Sequence, residues 1–224
     1  MLIQNEIPKE DLDYILEPFK EEDNKEKNNK QIISEKIIAI IRDAKGNIID
    51  KREQKMRSLT QYFLALMSIP IIGTYSNASS TTATGVLSNV LGLPSQVSSA
   101  GNALINFDTS IQLGSGIQSF TPTLNSLSAP ITNGTGTGQL IYYTSSVSYT
   151  NNSISILIIV SNSSGNTINV SEIGLIGTIY IGYWSGAYYT NNYSYLFSYD
   201  TFSTPISIPN GGVATFQIII TFSG

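Results

Sequence analysis

The chain contains no cysteine and no histidine. The first absence excludes disulfides and thiolate metal sites. The second removes the side chain that most often acts as general acid, general base or metal ligand near neutral pH. Charge is scarce as well: Asp, Glu, Lys and Arg make up 12% of 224 residues, against about 25% in typical soluble domains. The shortage is uneven. Every Lys and Arg lies at or before Arg57, and beyond it the acids are Asp108, Glu172 and Asp200. A body without cations offers nothing to backbone phosphates, and the net charge is −4, so no nucleic-acid partner is expected. The three acids have no nearby base in sequence to tune them or to hold a substrate. Turn capping is expected of them rather than catalysis, and no cofactor or metal site is expected. A body that barely titrates is also expected to keep its fold in strong acid.

What is present is Ser, Thr, Asn, Gly and Tyr around short Ile-rich runs. Residues 1–30 form a charged segment in which Leu12, Ile15 and Leu16 share one face of a short helix after Pro8, and 21–30 read as flexible linker. This is a solvated arm, not a basic patch. Residues 31–73 read as a hairpin plus helix: Ile37-Ile38-Ala39-Ile40-Ile41, the turn Asp43-Ala44-Lys45-Gly46-Asn47, then Ile48-Ile49. Ser58-Leu59-Thr60-Gln61 has the form of a capping box, with Leu59, Tyr62, Phe63, Leu66 and Met67 at helical spacing. A rival reading of 56–78 is an internal signal peptide: basic residues, an apolar run over 59–72, then Ser76-Asn77-Ala78. That run is too short and too polar to cross a bilayer comfortably.

Residues 74–224 form the body. A loop with a short helix near 86–91 is expected first. Strands are expected at 105–113, 140–149, 154–161, 167–182, 193–199, 206–208 and 213–222, separated by Gly, Asn, Ser and Pro clusters. The pattern is mainly β, and it predicts a jelly-roll-like β-sandwich carrying the N-terminal arm and the hairpin-plus-helix unit.

Gly134-Thr135-Gly136-Thr137-Gly138 is no phosphate loop, because no Lys follows it. The aromatic stretch around Tyr183, Trp184, Tyr188, Tyr189, Tyr193 and Tyr195 is expected to serve core and subunit interface, with sugar stacking as the alternative. Six N-x-S/T sequons occur, at Asn77, Asn133, Asn151, Asn162, Asn169 and Asn192.

Four stretches resemble virion structural proteins of tail-fibre and collar type, and similar proteins of archaeal viruses. They are Ile40–Ile49 with Ser58–Phe63; Ile111-Gln112-Leu113-Gly114-Ser115-Gly116 leading to Leu127-Ser128-Ala129-Pro130-Ile131; Ile168-Asn169-Val170-Ser171-Glu172-Ile173-Gly174-Leu175; and Leu196–Phe202 with Pro205-Ile206. Where that family has a basic residue before the Asp of the last stretch, this chain has Tyr199. The Ile/Tyr/Asn/Ser style resembles viruses of hot acidic springs. The resemblance implies a non-enzymatic component of a tail, fibre, baseplate or vertex appendage on the outside of the particle. It would partner copies of itself and, through the arm, other virion proteins. The alternatives are a penton or turret component of an icosahedral virus, or an adhesin that binds host surface glycans.

Overall fold

A computed structural model describes residues 32–56, 58–60, 63, 104–184 and 188–223, without the side chains of 32, 104–108, 179–184, 188–193 and 223. The predicted arm, the apolar run beyond Phe63 and the predicted loop before Leu104 lie outside the described residues.

Isoleucine is β-branched and favours extended backbone, and it dominates the strands. The expected hairpin forms from β1 (Ile32–Arg42) and β2 (Ile48–Met56). Its turn is built on Asp43, whose Oδ1 accepts from the backbone N–H of Lys45 (2.8 Å) and Asn47 (2.9 Å). These bonds and the one from the Asn47 side chain hold the Asp43 carboxyl below its ordinary range. Gly46, at φ 87°, completes the turn in a region L side chains avoid.

The remaining strands are β3 (Leu104–Gly114), β4 (Ile141–Tyr142), β5 (Ser146–Tyr149), β6 (Ser153–Ser161), β7 (Ile168–Trp184), β8 (Tyr188–Ile208) and β9 (Val213–Ser223). They form two antiparallel sheets. One has the order β2-β1-β9-β6-β4, with β5 also on β6; the other is β3-β7-β8. Core residues come from both sheets: Ile37, Ile158, Phe216 and Ile218 from the first, and Leu113, Ile173, Phe197 and Ile206 from the second. The rings of Phe202 and Phe216, one from each sheet, sit 6.3 Å apart. β1 pairs with β9 along its whole length, and Ile32–Ser223 cluster as one unit, so the hairpin shares a sheet with the last strand.

In β1, β6 and β9 both faces are buried. Ile37, Ala39 and Ile41 face the shared core, yet Ile38 and Ile40 on the other side are buried too. So are Leu157 and Ile219. That is why these strands read as continuous apolar runs rather than alternation.

Three expectations need correction. Residues 58–60 do not cap a helix. They lie extended along β8, with the Thr60 N–H donating to Phe197 O (2.9 Å) and the Tyr199 N–H to Ser58 O (3.0 Å). Tertiary pairing overrides the local capping pattern; Phe63 alone of the described residues there is helical. The expected strand over 140–149 is broken into β4 and β5, because residues 143–145 stand opposite only 158–159 of β6, an extra-residue bulge. Conversely, the strands expected at 193–199 and 206–208 are one strand, β8. It swings away from β7 between Thr201 and Ile206, where Pro205 has no N–H to give. Arg52 and Gln54 of β2 reach into that gap: Gln54 Nε2 donates to Thr201 O (2.9 Å), and Arg52 donates to Thr204 O and Pro205 O. The chain from β2 through 58–60 thus joins the two sheets along one side.

Candidate functional site

The second, third and fourth of the stretches that carry the resemblance meet at one place. Gly114 pairs with Glu172 across β3 and β7, and a Cβ at Gly114 would lie 2.4 Å from Glu172 Oε1. The close approach therefore requires glycine. The fully buried Glu172 carboxylate accepts from the Ala129 N–H (2.8 Å), the Ser128 N–H (3.2 Å) and the Ser128 hydroxyl (3.1 Å). Ser115 N–H to Ala129 O (2.9 Å) and Ile131 N–H to Leu113 O (2.8 Å) complete the attachment. Residues 115–131 are thereby strapped over the outer face of the β3-β7-β8 sheet. Leu127 packs there on Leu196 and Tyr199 in a second, smaller core. Tyr199 uses its hydroxyl both ways: it accepts from Gln118 N–H and donates to Gln118 O, each at 3.1 Å. The arrangement clamps a loop; the carboxylate's lone pairs are occupied by the strap.

Asp200 does not join Glu172. Its Oδ1 accepts from the following N–H of Thr201 (2.8 Å), and its Oδ2 is buried. It lies instead near Glu35 of β1, which is 5% exposed. Burial pushes the Glu35 carboxyl up to about 7; the Ser198 hydroxyl draws it down and the Asp200 charge raises it further. Among the described residues neither Glu35 oxygen has a hydrogen-bond partner of normal geometry, and the Ser198 hydroxyl donates to the Met56 sulfur. Sequence reasoning missed Glu35 because it weighed only the acids after Arg57. The signal was its phase, two residues before Ile37 on the inward face of β1. The side chain of Asp108 lies outside the described residues. Among the described residues no group of three His, Cys, Asp or Glu is placed to hold a metal.

The predicted aromatic site falls at the end of the β7–β8 hairpin. The backbone pairs Tyr183 with Tyr189, Trp184 with Tyr188 and Ile179 with Tyr193; the side chains of these aromatic residues lie outside the described residues. Tyr195 is in the main core at 8% exposed. Of the sequons, Asn133, Asn151 and Asn169 are exposed. Asn162 is fully buried, its amide donating to Asn166 O (2.7 Å) and Ile208 O (2.8 Å). Asn77 and the side chain of Asn192 lie outside the described residues.

On the side of the sheets opposite β2 there is an open cleft of about 900 Å³ between β3 and the segments 130–133 and 142–145. Its lining includes Ile111, Ile131, Ile158 and Ile176 together with hydroxyl and amide side chains. No family model, curated protein or solved structure matches the chain.

Proposed function

We propose that this chain is a non-enzymatic structural protein that assembles with copies of itself on the outside of a virus particle, in a tail, fibre, baseplate or vertex appendage. One observation carries the reading. Among the described side chains after Arg57, the two that ionise as acids are Glu172, buried, and Asp200, half-buried, so the body's described surface past β2 has no fully exposed acid or base. Soluble monomers rely on mixed surface charge to stay apart. This body instead exposes Ile117 (68%) and, on the short strand β5, Val147 and Tyr149 (73%). Apolar side chains and an edge with no further strand partner among the described residues suit contact between subunits.

The meeting of the resembling stretches at the Glu172 strap supports the virion assignment. A jelly-roll-like form of the sandwich belongs to the same reading. It is supported by the pairing of the first strand with the last and by the chain's passage between sheets after β2, β3, β6 and β8. The charged arm would dock on neighbouring virion proteins.

The test is oligomer mass in solution. The wild-type protein is expected to be oligomeric at neutral and acid pH and unchanged in molar salt, since there is little Coulomb attraction to screen. Lysine at Tyr149, or at Tyr188 together with Tyr193, should give smaller species. A strictly monomeric wild type, or an oligomer that salt dissolves, refutes the reading.

A further inference from the structure

We propose that the cleft beside β3 binds a neutral oligosaccharide. Its lining contains no Asp, Glu, Lys or Arg, which removes the basis for recognising phosphate, sulfate, carboxylate or amine groups. The walls present Gln112, Asn125, Ser126, Thr144 and Ser145, each able to donate and accept. A polyhydroxylated ligand, which both donates and accepts at every ring, is the chemistry that matches such a wall. The exposed ring of Tyr143 and the half-buried Tyr142 and Ile176 supply apolar area for the C–H faces of pyranose rings.

Part of the lining is already committed and rigid. The Tyr142 hydroxyl donates to Ile131 O (3.0 Å), its N–H donates to Asn133 Oδ1 (3.0 Å), and Thr178 and Ser194 share a hydrogen bond (3.0 Å). By contrast, no hydrogen bond ties down the side chains of Gln112, Asn125, Thr144 or Ser145 among the described residues. A fixed frame carrying uncommitted polar groups is what a preformed ligand site needs. Burial raises the Tyr142 phenol to about 12, and the lining holds no carboxylate, ammonium or guanidinium. The volume, about 900 Å³, is open to solvent along one side and suits a few sugar units of a longer chain. Of the aromatic stretch to which the sequence assigned sugar stacking as an alternative, Tyr195 alone lines this cleft. The cleft is formed within a single chain, so the proposal stands or falls separately from self-assembly.

The experiment is calorimetric titration of the full chain with chitotetraose, maltotetraose and mannotetraose, with heparin as the anionic control. At least one neutral tetrasaccharide should bind, with the same affinity at pH 4 and pH 9 and at low and molar salt. The double variant Gln112→Ala/Asn125→Ala should bind about tenfold more weakly, the cost of one or two lost polar contacts. Thr144→Trp, which fills the cleft mouth, should abolish binding. Both substitutions fall on side chains that are not buried, and an unchanged unfolding midpoint would show the fold intact. Failure of all three sugars to bind the wild type overturns the proposal. So does binding that survives Thr144→Trp, or binding that heparin displaces.

Discussion

Replacing Glu35 with Gln should stabilise the protein at pH 8 and leave it nearly unchanged at pH 4. The reasoning starts from geometry. Glu35 sits on the inward face of β1, opposite Met56 of β2 and Ile220 of β9, with Ser198 and Asp200 approaching from β8. Its neighbours Lys36 and Lys55 pair one step away in register, on the opposite face, and Lys36 is engaged with Glu53 at 3.0 Å. No cation therefore offsets the buried carboxylate from within this set. Its ionisation, ordinarily near 4.5, is raised to about 7 in the fold, first by burial. The sign follows from linkage. Below pH 4.5 the group is protonated in both states and costs nothing. Between the two values the unfolded chain loses the proton while the folded chain keeps it, so stability falls as pH rises. The full loss above pH 7 is about 3 kcal/mol, roughly 6–12 °C in Tm for a domain of this size. Thermal unfolding of wild type and Glu35→Gln from pH 4 to pH 9 reads it directly. The wild type should lose stability across this window, the variant should be flat, and Asp200→Asn should shrink the loss. A wild-type profile that is flat or rises with pH, or a variant that keeps the slope, refutes the argument.

Glu172→Ala should cost about 3 kcal/mol, because it removes a fully buried side chain and the charged acceptor of the Ser128 and Ala129 N–H groups, and limited proteolysis should then cut within 115–131 before other described segments. Glu172→Gln, which retains an accepting oxygen, should cost about half as much by denaturant midpoint. When the protein is expressed in a glycosylating host, peptide mapping of the folded fraction should find Asn162 bare, because its amide hydrogens are spent on Asn166 and Ile208 inside the fold. A glycan on Asn162 in folded protein would contradict the described packing.

Strand positions were readable wherever Ile-rich runs ended in Asn, Ser or Gly clusters. The expected 105–113, 154–161 and 213–222 fall within one residue of β3, β6 and β9 at their starts and ends. Errors arose where partners decide the outcome. Ser58 and Thr60 read as a helix start until β8 claimed their backbone, and Pro205 read as a strand break although Arg52 and Gln54 satisfy the carbonyls there. Glu172 was noticed, but its role depends on Ser128 and Ala129, more than forty residues away in the chain. The cleft had no sequence signature at all, since its wall is assembled from residues between Thr109 and Tyr195 that share no local period.

The double-sided burial of β1, β6 and β9 carries a cost in specificity. In a strand with one wet face, slipping by one residue drives apolar side chains into water and polar ones inward, so misalignment is penalised at every position. Here a slip exchanges one isoleucine for another on either face. Alignment must then be dictated by the few residues that do not fit everywhere: Glu35, the hydrogen bond from Gln217 to Ser155 at 2.7 Å, and the Asn162 brace at the end of β6. These buried polar groups are poor sources of stability, and one oxygen of Gln217 is left without a partner among the described residues. Their value lies in discriminating the correct alignment from near-degenerate ones during folding. Exchanging them for isoleucine would yield a chain that is more hydrophobic and less certain of its own structure.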